Sequence, residues 1–323
     1  MLKRAARAAF HHLGGLRLVR WNRRGLRILM YHRFAARDRE ALARQCAHIR
    51  RYYTPADIPG ICKLLKSGGE MPPKATVITV DDGHRDFLEY AWPVLKSYGL
   101  TATVYLISGF TDGELWPWFD QVQWMFTNTP ATDLEIGIGT EKMRFDLSTK
   151  PLREAACDRV VNLMPDLEPD ARADLMCELG CRLQVKPPAR APEAHAPLSW
   201  DDVRRLAAEG VDFGAHTVTH PILSQIASNQ QMYFEVNHSK ARIEQELGRP
   251  ALSFCYPNGR AVDVSDAAVE TVRRAGFEGA VLSGGGVNLH VSDSLRLRRI
   301  AADPQFEDLY FRQVVAGLGT GSG

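Results

Sequence analysis

Short runs of apolar residues along the chain alternate with longer amphipathic segments, and this pattern predicts buried strands separated by helices. The clearest run, 75–80, is β-branched, unbroken and too short for a core helix, so we interpret it as a strand. An amphipathic segment over 86–98 predicts a helix with Gly99 as its C-cap, and a second buried strand follows over 101–107. Strand, helix and strand in succession form a βαβ unit, which implies parallel strands.

The same alternation continues elsewhere in the chain. Further strands are predicted at 26–31, 211–215, 252–256 and 279–282, and further helices at 38–51, 199–210, 230–247 and 266–275. Ser199 and Asp202 have the spacing of a capping box at the start of one of these helices. The whole pattern indicates an α/β fold built on a parallel sheet.

One long segment does not follow the alternation. Residues 111–197 open with aromatic side chains that include Trp116 and Trp118, and they contain helix-like stretches, so we expect a mostly helical insertion there. The predicted domain organisation is a basic leader at 1–25, a main domain at 26–310 that contains the insertion, and a flexible tail at 311–323.

The composition is that of an ordinary globular protein and excludes several other classes. Of the 323 residues, 45% are apolar and 24% are charged, which excludes a disordered chain, a collagen-like repeat and a small disulfide scaffold. No window approaches the run of about 20 apolar residues that a membrane-spanning helix needs. The N-terminus lacks the apolar core of a Sec signal peptide, so we expect a cytoplasmic protein with reduced cysteines.

The near-neutral total charge conceals an uneven distribution. Residues 1–33 contain Lys3 and eight arginines without any acidic residue, a formal charge of +9, whereas the rest of the chain carries −7. The leader is expected either to be simply solvated or to rest on anionic lipid through residues 1–25, at the inner face of the membrane. The acidic body argues against nucleic acid as a partner.

Side chains that can carry chemistry follow the predicted strands, at the edge where parallel α/β folds build their sites. Asp81 and Asp82 follow the strand at 75–80, and one carboxylate can bind a cation while the other faces substrate or water. His216 and His220 are predicted on one helical turn, where both imidazoles reach a single ion. With one carboxylate they make three protein ligands and leave a position open for water, as in catalytic zinc sites.

A third motif is the turn Tyr-Pro-Asn-Gly at 256–259, whose backbone N–H groups could face a developing oxyanion. Each motif alone is weakly specific, whereas their combination and order are far more specific. Thr-Val-Asp-Asp-Gly at 79–83, His-x-x-x-His at 216–220 and Phe-x-Tyr-Pro-x-Gly at 254–259 together resemble the polysaccharide deacetylases of the NodB-homology type, carbohydrate esterase family 4.

The dipeptide Tyr31-His32 makes the resemblance more specific. It is similar to the Tyr-His of the subgroup that removes N-acetyl groups from poly-N-acetylglucosamine and related exopolysaccharides. The resemblance covers roughly 26–110 and 198–300, and the insertion lies outside it. It implies a distorted (β/α) barrel of about seven strands.

The resemblance also implies roles for the motif residues. Asp82, His216 and His220 would bind a divalent metal, with zinc as the first choice and cobalt, nickel, manganese or iron as alternatives. Asp81 would be the general base that takes a proton from the water activated by the metal. The metal and a backbone N–H near Tyr256 would stabilise the oxyanion.

The catalytic acid and the partner of the base are less clearly indicated. Many relatives have an acid in a Leu-His motif, here His290, but the exopolysaccharide subgroup places it at the first strand end, here His32, which we prefer. His84 is a third candidate. Cys255 stands where many relatives have an arginine that orients the base, and Arg299 is our candidate for that role.

The sequence thus predicts a metal-dependent N-deacetylase that acts on an amino-sugar glycan, either an exopolysaccharide or a lipid-linked precursor. Trp116 and Trp118 are candidates for stacking on sugars, although anchoring of the insertion to the barrel is the slightly favoured alternative. Pro257 and Asn258 are candidate substrate contacts. The alternative is a catalytically silent glycan-binding partner in polysaccharide assembly.

Overall fold

The computed structural model describes residues 25–318, and its centre is a closed barrel of seven parallel strands. In order round the barrel they are β1 (Arg27–Tyr31), β10 (Leu297–Ala301), β9 (Gly279–Gly285), β8 (Ser253–Cys255), β7 (Asp212–Ala215), β4 (Thr103–Leu106) and β3 (Ala75–Val80). Pairing of β3 with β1 closes the ring, and the short β2 (Thr54–Pro55) pairs with the beginning of β3. The predicted (β/α)7-type barrel is confirmed.

Helices surround the barrel, and they lie in the segments of the chain that connect its strands. They are α1 (Arg39–Tyr52), α2 (Ile58–Ser67), α3 (Trp92–Ser97), α4 (Ser108–Thr111), α8 (Trp200–Ala208), α9 (Asn229–Tyr233), α10 (Ser239–Leu247), α11 (Asp266–Arg274) and α12 (Asp308–Val315). A π-helical turn, Phe87–Ala91, precedes α3, and a second one, Phe234–His238, joins α9 to α10. Short 3₁₀ turns lie at Ala36–Asp38, Leu223–Gln225 and Ala261–Asp263.

The apolar runs form strands because parallel barrel strands are covered on both faces. All six residues of β3 are buried, and β3 runs in register with β1 from Arg27 opposite Thr76 to Tyr31 opposite Val80. The strand predicted at 75–80 therefore has its predicted bounds. At the start of α8, Ser199 and Asp202 exchange the two hydrogen bonds of the predicted capping box.

The chain divides into two compact units, one formed by 25–111 and 196–318 and the other by Asp112–His195. The second unit contains α5 (Trp118–Asn128), β5 (Asp133–Ile138), β6 (Glu141–Asp146), α6 (Lys150–Leu163) and α7 (Pro169–Arg182), with 3₁₀ turns at Met164–Asp166 and Glu193–His195. It has an apolar core of its own, which includes Val122, Phe126, Leu134, Val160 and Leu179.

The insertion is mostly helical, as predicted, but it also contains the antiparallel hairpin β5–β6, which was not predicted. Along β5, buried and exposed residues alternate, and Leu134, Ile136 and Ile138 face the core of the second unit. This period of two is the ordinary signal of a half-buried strand, so the sequence did contain the evidence.

The prediction of a flexible tail from residue 311 is wrong as far as residue 318. Phe311, Val314 and Val315 lie on α12 and are buried in the core of the first unit, so this segment belongs to the barrel domain. The basic leader lies almost wholly outside the described residues. Among residues 25–318, we find no helix with the length and apolar character needed to cross a membrane.

Replacing Phe311 by alanine tests whether α12 is part of the core. Because Phe311 is fully buried, Phe311→Ala is expected to lower the free energy of unfolding by about 3–5 kcal/mol, measured by urea denaturation. Tyr233→Ala is the control, since Tyr233 is 58% exposed and its loss should change stability by about 0.5 kcal/mol or less. Equal, small effects of the two substitutions would contradict the packing of α12.

Candidate active site

The chemically active side chains converge at the carboxyl edge of the barrel. Asp81 and Asp82 directly follow β3, His216 directly follows β7, and His32 directly follows β1. Arg299 lies within β10, and its side chain is buried among the strands. Parallel strands end at one edge of the sheet, so residues far apart in the chain meet there.

Asp81 and Arg299 form a bidentate ion pair in the interior of the barrel. Arg299 Nη1 and Nη2 donate to the two carboxylate oxygens of Asp81 at 2.6 and 2.7 Å. Further donor groups of Arg299 bind the Leu282 carbonyl at 2.7 Å and the Thr79 hydroxyl at 3.1 Å. The predicted contact between Arg299 and Asp81 is therefore present, and it fixes the orientation of the carboxylate.

The charge of this pair sets the protonation of Asp81. Burial alone would raise the pKa of Asp81, but the guanidinium of Arg299 and its hydrogen bonds outweigh burial and keep the pKa well below its usual range. Cys255, which occupies the position of the missing motif arginine, lies 3.1 Å from Arg299 through its sulfur. Burial raises the pKa of the Cys255 thiol, so it stays protonated beside the pair.

Asp82, His216 and His220 form a group of donor atoms that could bind one metal ion. Asp82 Oδ1 lies 3.6 Å from His216 Nε2 and 3.9 Å from His220 Nε2, and all three side chains are buried. Ligand atoms round a tetrahedral zinc lie roughly 3.5 Å apart, given bonds of about 2.0–2.2 Å. The His216 Nδ1 group lies 2.7 Å from the Cys255 carbonyl, which can only accept, so Nε2 is left to face the ion.

A second group of possible donors, Asp81, His216 and Cys255, shares His216 with the first. The guanidinium of Arg299 already contacts both Asp81 and Cys255. A metal ion bound there would be repelled by its positive charge. The structure therefore favours the group built on Asp82 as the candidate metal site.

The loop that carries the two histidines is irregular, which corrects the predicted helical turn. Thr217 and His220 have left-handed backbone conformations, with φ of 68° and 60°, and Asp82 in the other loop has φ of 72°. Such conformations cost about 1–3 kcal/mol each outside glycine and concentrate at functional sites. Gly83 is also in the left-handed region that favours glycine, with φ of 79°, and a Cβ there would lie 2.6 Å from Leu106 Cδ2.

Burial keeps the two histidines of this group neutral. It lowers the pKa of His216 to about 4, against an ordinary value of 6.5. Burial and the proximity of His216 together lower the pKa of His220 well below that value. Both rings therefore offer a lone pair to a cation at neutral pH.

The three histidines considered as catalytic acids occupy very different places. His32 is 47% exposed, with Nε2 at 3.7 Å from Asp81 Oδ2. His84 is buried and packs edge-on against Phe110. His290 is exposed. It lies at the opposite end of the barrel, since Asn288, two residues before it, pairs with Leu26 just before β1. Only His32 among these three combines exposure with contact to the Asp81 carboxylate.

The environment of His32 favours its neutral form. Desolvation by the surrounding protein lowers the pKa of His32, and Arg299 acts in the same direction, while the Asp81 carboxylate opposes both.

In the turn that follows β8, Tyr256 itself has structural partners, and the predicted binding of an oxyanion by a backbone N–H near it stays a prediction. The Tyr256 hydroxyl donates to the Leu295 carbonyl at 3.0 Å, and its backbone N–H donates to the Val281 carbonyl at 3.3 Å. Both groups are therefore engaged in structural hydrogen bonds. Pro257 is buried and Asn258 is half-buried with φ of 55°, and their predicted contact with substrate stays a prediction.

The tryptophans proposed for sugar stacking belong to the second unit. Trp116 is buried and packs edge-on against Trp124. Trp118 is half-buried, with the Arg172 guanidinium 5.7 Å from its ring. These contacts lie within the second unit, so the binding of sugars and the anchoring of the insertion to the barrel both stay predictions.

Comparison with known proteins places the chain in a family. The family model for polysaccharide deacetylase matches residues 68–137 and 173–280, slightly more than half of the chain. The chain belongs to the polysaccharide deacetylase family. The family predicted from the motifs is thereby confirmed.

Curated relatives of this polysaccharide deacetylase family member match only part of it. Over 136 residues, 41% of the chain, it is 29% identical to the poly-β-1,6-N-acetyl-D-glucosamine N-deacetylase of Escherichia coli K12, and the same figures hold for that of strain O157:H7. The match spans 17% of the length of these relatives.

Solved deacetylase structures share the fold along most of the chain. Streptococcus pyogenes deacetylase PplD and IcaB from Ammonifex degensii each have a TM-score of 0.59 and 18% identity, and each aligns over 91% of this chain. The alignments cover 99% of PplD and 96% of IcaB. The deacetylase domain of BpsB from Bordetella bronchiseptica has a TM-score of 0.55 and 14% identity, over 86% of this chain and 96% of its own.

Two contributors to the site were not identified from the sequence. The Thr79 hydroxyl accepts from Arg299, and the Thr217 hydroxyl accepts from the His220 backbone N–H at 2.9 Å. Both threonines lie inside recognised motifs. Their position in the sequence does not indicate that Thr79 binds Arg299 on a distant strand, or that Thr217 caps the His220 N–H within its own loop.

The pKa of His216 predicts how stability changes with pH. The folded state favours the neutral ring, whereas the unfolded chain binds a proton once the pH falls below 6.5. The free energy of unfolding is therefore highest above pH 6.5 and decreases as the pH falls to about 4. For metal-free protein this loss is on the order of 3 kcal/mol, measured by urea denaturation across that range. His216→Gln should flatten the profile, whereas the exposed His238→Gln should leave it unchanged. Identical profiles for all three proteins would contradict the assignment.

Proposed function

We propose that the protein removes N-acetyl groups from an amino-sugar glycan of the exopolysaccharide type, with a divalent metal bound by Asp82, His216 and His220. The observation that carries this proposal is the convergence of these three donors beside the buried pair of Asp81 and Arg299. Membership of the polysaccharide deacetylase family and the partial match to the Escherichia coli enzymes support the same class of reaction.

In this proposal the ion supplies Lewis acidity when bound, since a divalent metal lowers the pKa of a water molecule and polarises a carbonyl oxygen. Zinc suits the one carboxylate and two imidazoles, and cobalt, nickel, manganese and iron accept similar ligands. Burial of the three side chains excludes bulk water from their donor atoms.

Asp81 is the general base in this proposal. Its carboxylate is ionised at neutral pH, because Arg299 keeps its pKa low, and Oδ2 faces His32 at 3.7 Å. Arg299 binds both oxygens from one side, which orients the carboxylate to take the proton of the attacking water.

His32 is the general acid in this proposal. The amide nitrogen has to be protonated as the carbon–nitrogen bond breaks, because an amide anion is a very poor leaving group. The lowered pKa of His32 makes the resting ring neutral near pH 7, so it has to acquire its proton during the reaction. His32 Nε2 lies 3.7 Å from Asp81 Oδ2, so a shift of the exposed ring to hydrogen-bond distance, or one intervening water, would let the proton taken from water pass to the ring.

Substitutions at the two aspartates should separate metal binding from catalysis. Asp82→Ala is expected to lose the metal, measured by mass spectrometry of the purified protein, because one of three ligands is removed. Asp81→Asn should retain the metal but release acetate from N-acetylglucosamine oligomers about 10²–10⁴-fold more slowly than the wild type. Screening polymeric and lipid-linked N-acetyl sugars would identify the preferred glycan.

His32→Gln and His290→Gln provide a matched control for the acid. The first should slow acetate release by about 10²–10⁴-fold, and the second should have no effect, because His290 lies at the opposite end of the barrel. Absence of stoichiometric metal in the wild type, or undiminished turnover in Asp81→Asn, would refute the mechanism. Binding of oligomers without any acetate release would support the catalytically silent alternative.

We also propose that the basic leader brings the protein to anionic lipid at the inner face of the membrane. The support is the charge of +7 over residues 1–25, from Lys3 and six arginines, and each basic residue near such a surface contributes roughly 1 kcal/mol. The full chain should sediment with phosphatidylglycerol vesicles at low salt but not with phosphatidylcholine vesicles. A chain without residues 1–25 should stay in the supernatant in both cases, and equal sedimentation with and without the leader would refute its role.

A further inference from the structure

A buried carboxylate outside the recognised motifs contacts the loop that carries the two histidines. Glu235 is 2% exposed and lies in the π-helical turn between α9 and α10. Its Oε2 accepts hydrogen bonds from the backbone N–H groups of Val218 and Thr219 at 2.8 and 2.9 Å, and its Oε1 accepts from the Thr219 hydroxyl at 2.6 Å. All three donors lie between His216 and His220 in the chain.

The opposite side of the same loop is bound by a second element. The backbone N–H groups of Ser108 and Gly109, at the start of α4, donate to the carbonyls of Thr217 and Val218 at 3.1 and 3.0 Å. The loop backbone is therefore fixed through its carbonyls from α4 and through its N–H groups from Glu235.

This double attachment matters because the loop is conformationally unfavourable. Thr217 is β-branched and has φ of 68°, and His220 has φ of 60°, so both would relax to other conformations in a free loop. Relaxation at either position would turn an imidazole away from Asp82. A carboxylate that accepts several N–H and O–H donors forms strong, charge-assisted hydrogen bonds, which oppose that relaxation.

We propose that Glu235 is a positioning residue for the metal site: it keeps the loop 216–220 in the conformation that directs both imidazoles at Asp82. The π-helical turn is consistent with this role, since such turns occur often at functional sites and change the register of the helix. The inference rests on the proposed metal site, although the effect of Glu235 on the loop itself does not require a bound ion.

The experiment compares Glu235→Ala and Glu235→Gln in the full chain after metal removal with a chelator. Cobalt(II) is then titrated, and its visible absorption reports affinity and ligand geometry. Glu235→Ala is expected to weaken cobalt binding about 10–100-fold and to change the spectrum, as loss of an outer hydrogen-bonding partner does in other metal sites. Glu235→Gln can still accept from both N–H groups through its amide oxygen, so it should largely restore affinity and spectrum.

Amide hydrogen exchange of the metal-free protein gives an independent readout. The N–H groups of Val218 and Thr219 should exchange at least about tenfold faster in Glu235→Ala than in the wild type, and Glu235→Gln should stay close to the wild type. Ser239→Ala is the matched control, because Ser239 is buried in the same helical segment but binds only the carbonyls of Glu235 and Val236. It should leave both cobalt affinity and loop exchange unchanged, even where it lowers stability.

Several outcomes would overturn the proposal. Unchanged affinity and exchange in Glu235→Ala would show that the loop keeps its conformation without the carboxylate. Equal weakening of cobalt binding in Glu235→Ala and Glu235→Gln, with the loop amides still protected, would assign the effect to charge instead of position. A wild type that binds no cobalt would refute the proposed metal site, and loop exchange would then decide the role of Glu235 by itself.

Discussion

The buried ion pair between Asp81 and Arg299 is the interaction on which the site depends. A guanidinium inside the barrel is tolerated only because a carboxylate and several acceptors neutralise and bind it, and removal of one partner from such a pair costs about 3–5 kcal/mol. The pair joins the end of β3 to β10 and contacts the sulfur of Cys255 on β8. It therefore orders one side of the barrel mouth and also keeps Asp81 ionised.

Asp81 and Asp82 are adjacent but have opposite partners. Asp81 turns to the guanidinium in the barrel interior, whereas the left-handed conformation of Asp82 turns its carboxylate to His216 and His220. Two like charges so close together would repel each other in a dry interior. Arg299 neutralises Asp81, and in the proposed function a metal ion neutralises Asp82. These two positive charges allow both aspartates to be buried.

Much of the fold and part of the site were predictable from the sequence. The strand at 75–80, the capping box at Ser199 and the βαβ alternation have local causes, namely β-branching, side-chain capping and burial of both strand faces. The hairpin β5–β6 and the packing of α12 were missed. The first has an alternating pattern in its sequence, but the burial of Phe311 depends on the distant core that it contacts.

The sequence by itself determined the family and the motif residues, because these follow from short segments and their order, and the barrel was expected only through the resemblance to that family. Tertiary structure alone decided which groups meet. It paired Arg299 with Asp81, took the hydroxyl and N–H of Tyr256 into structural hydrogen bonds, and separated His32 from His290 by the length of the barrel. It also brought Glu235 to the histidine loop. The physical reason is that closure of a parallel barrel brings together side chains more than 200 residues apart, and no local pattern records those contacts.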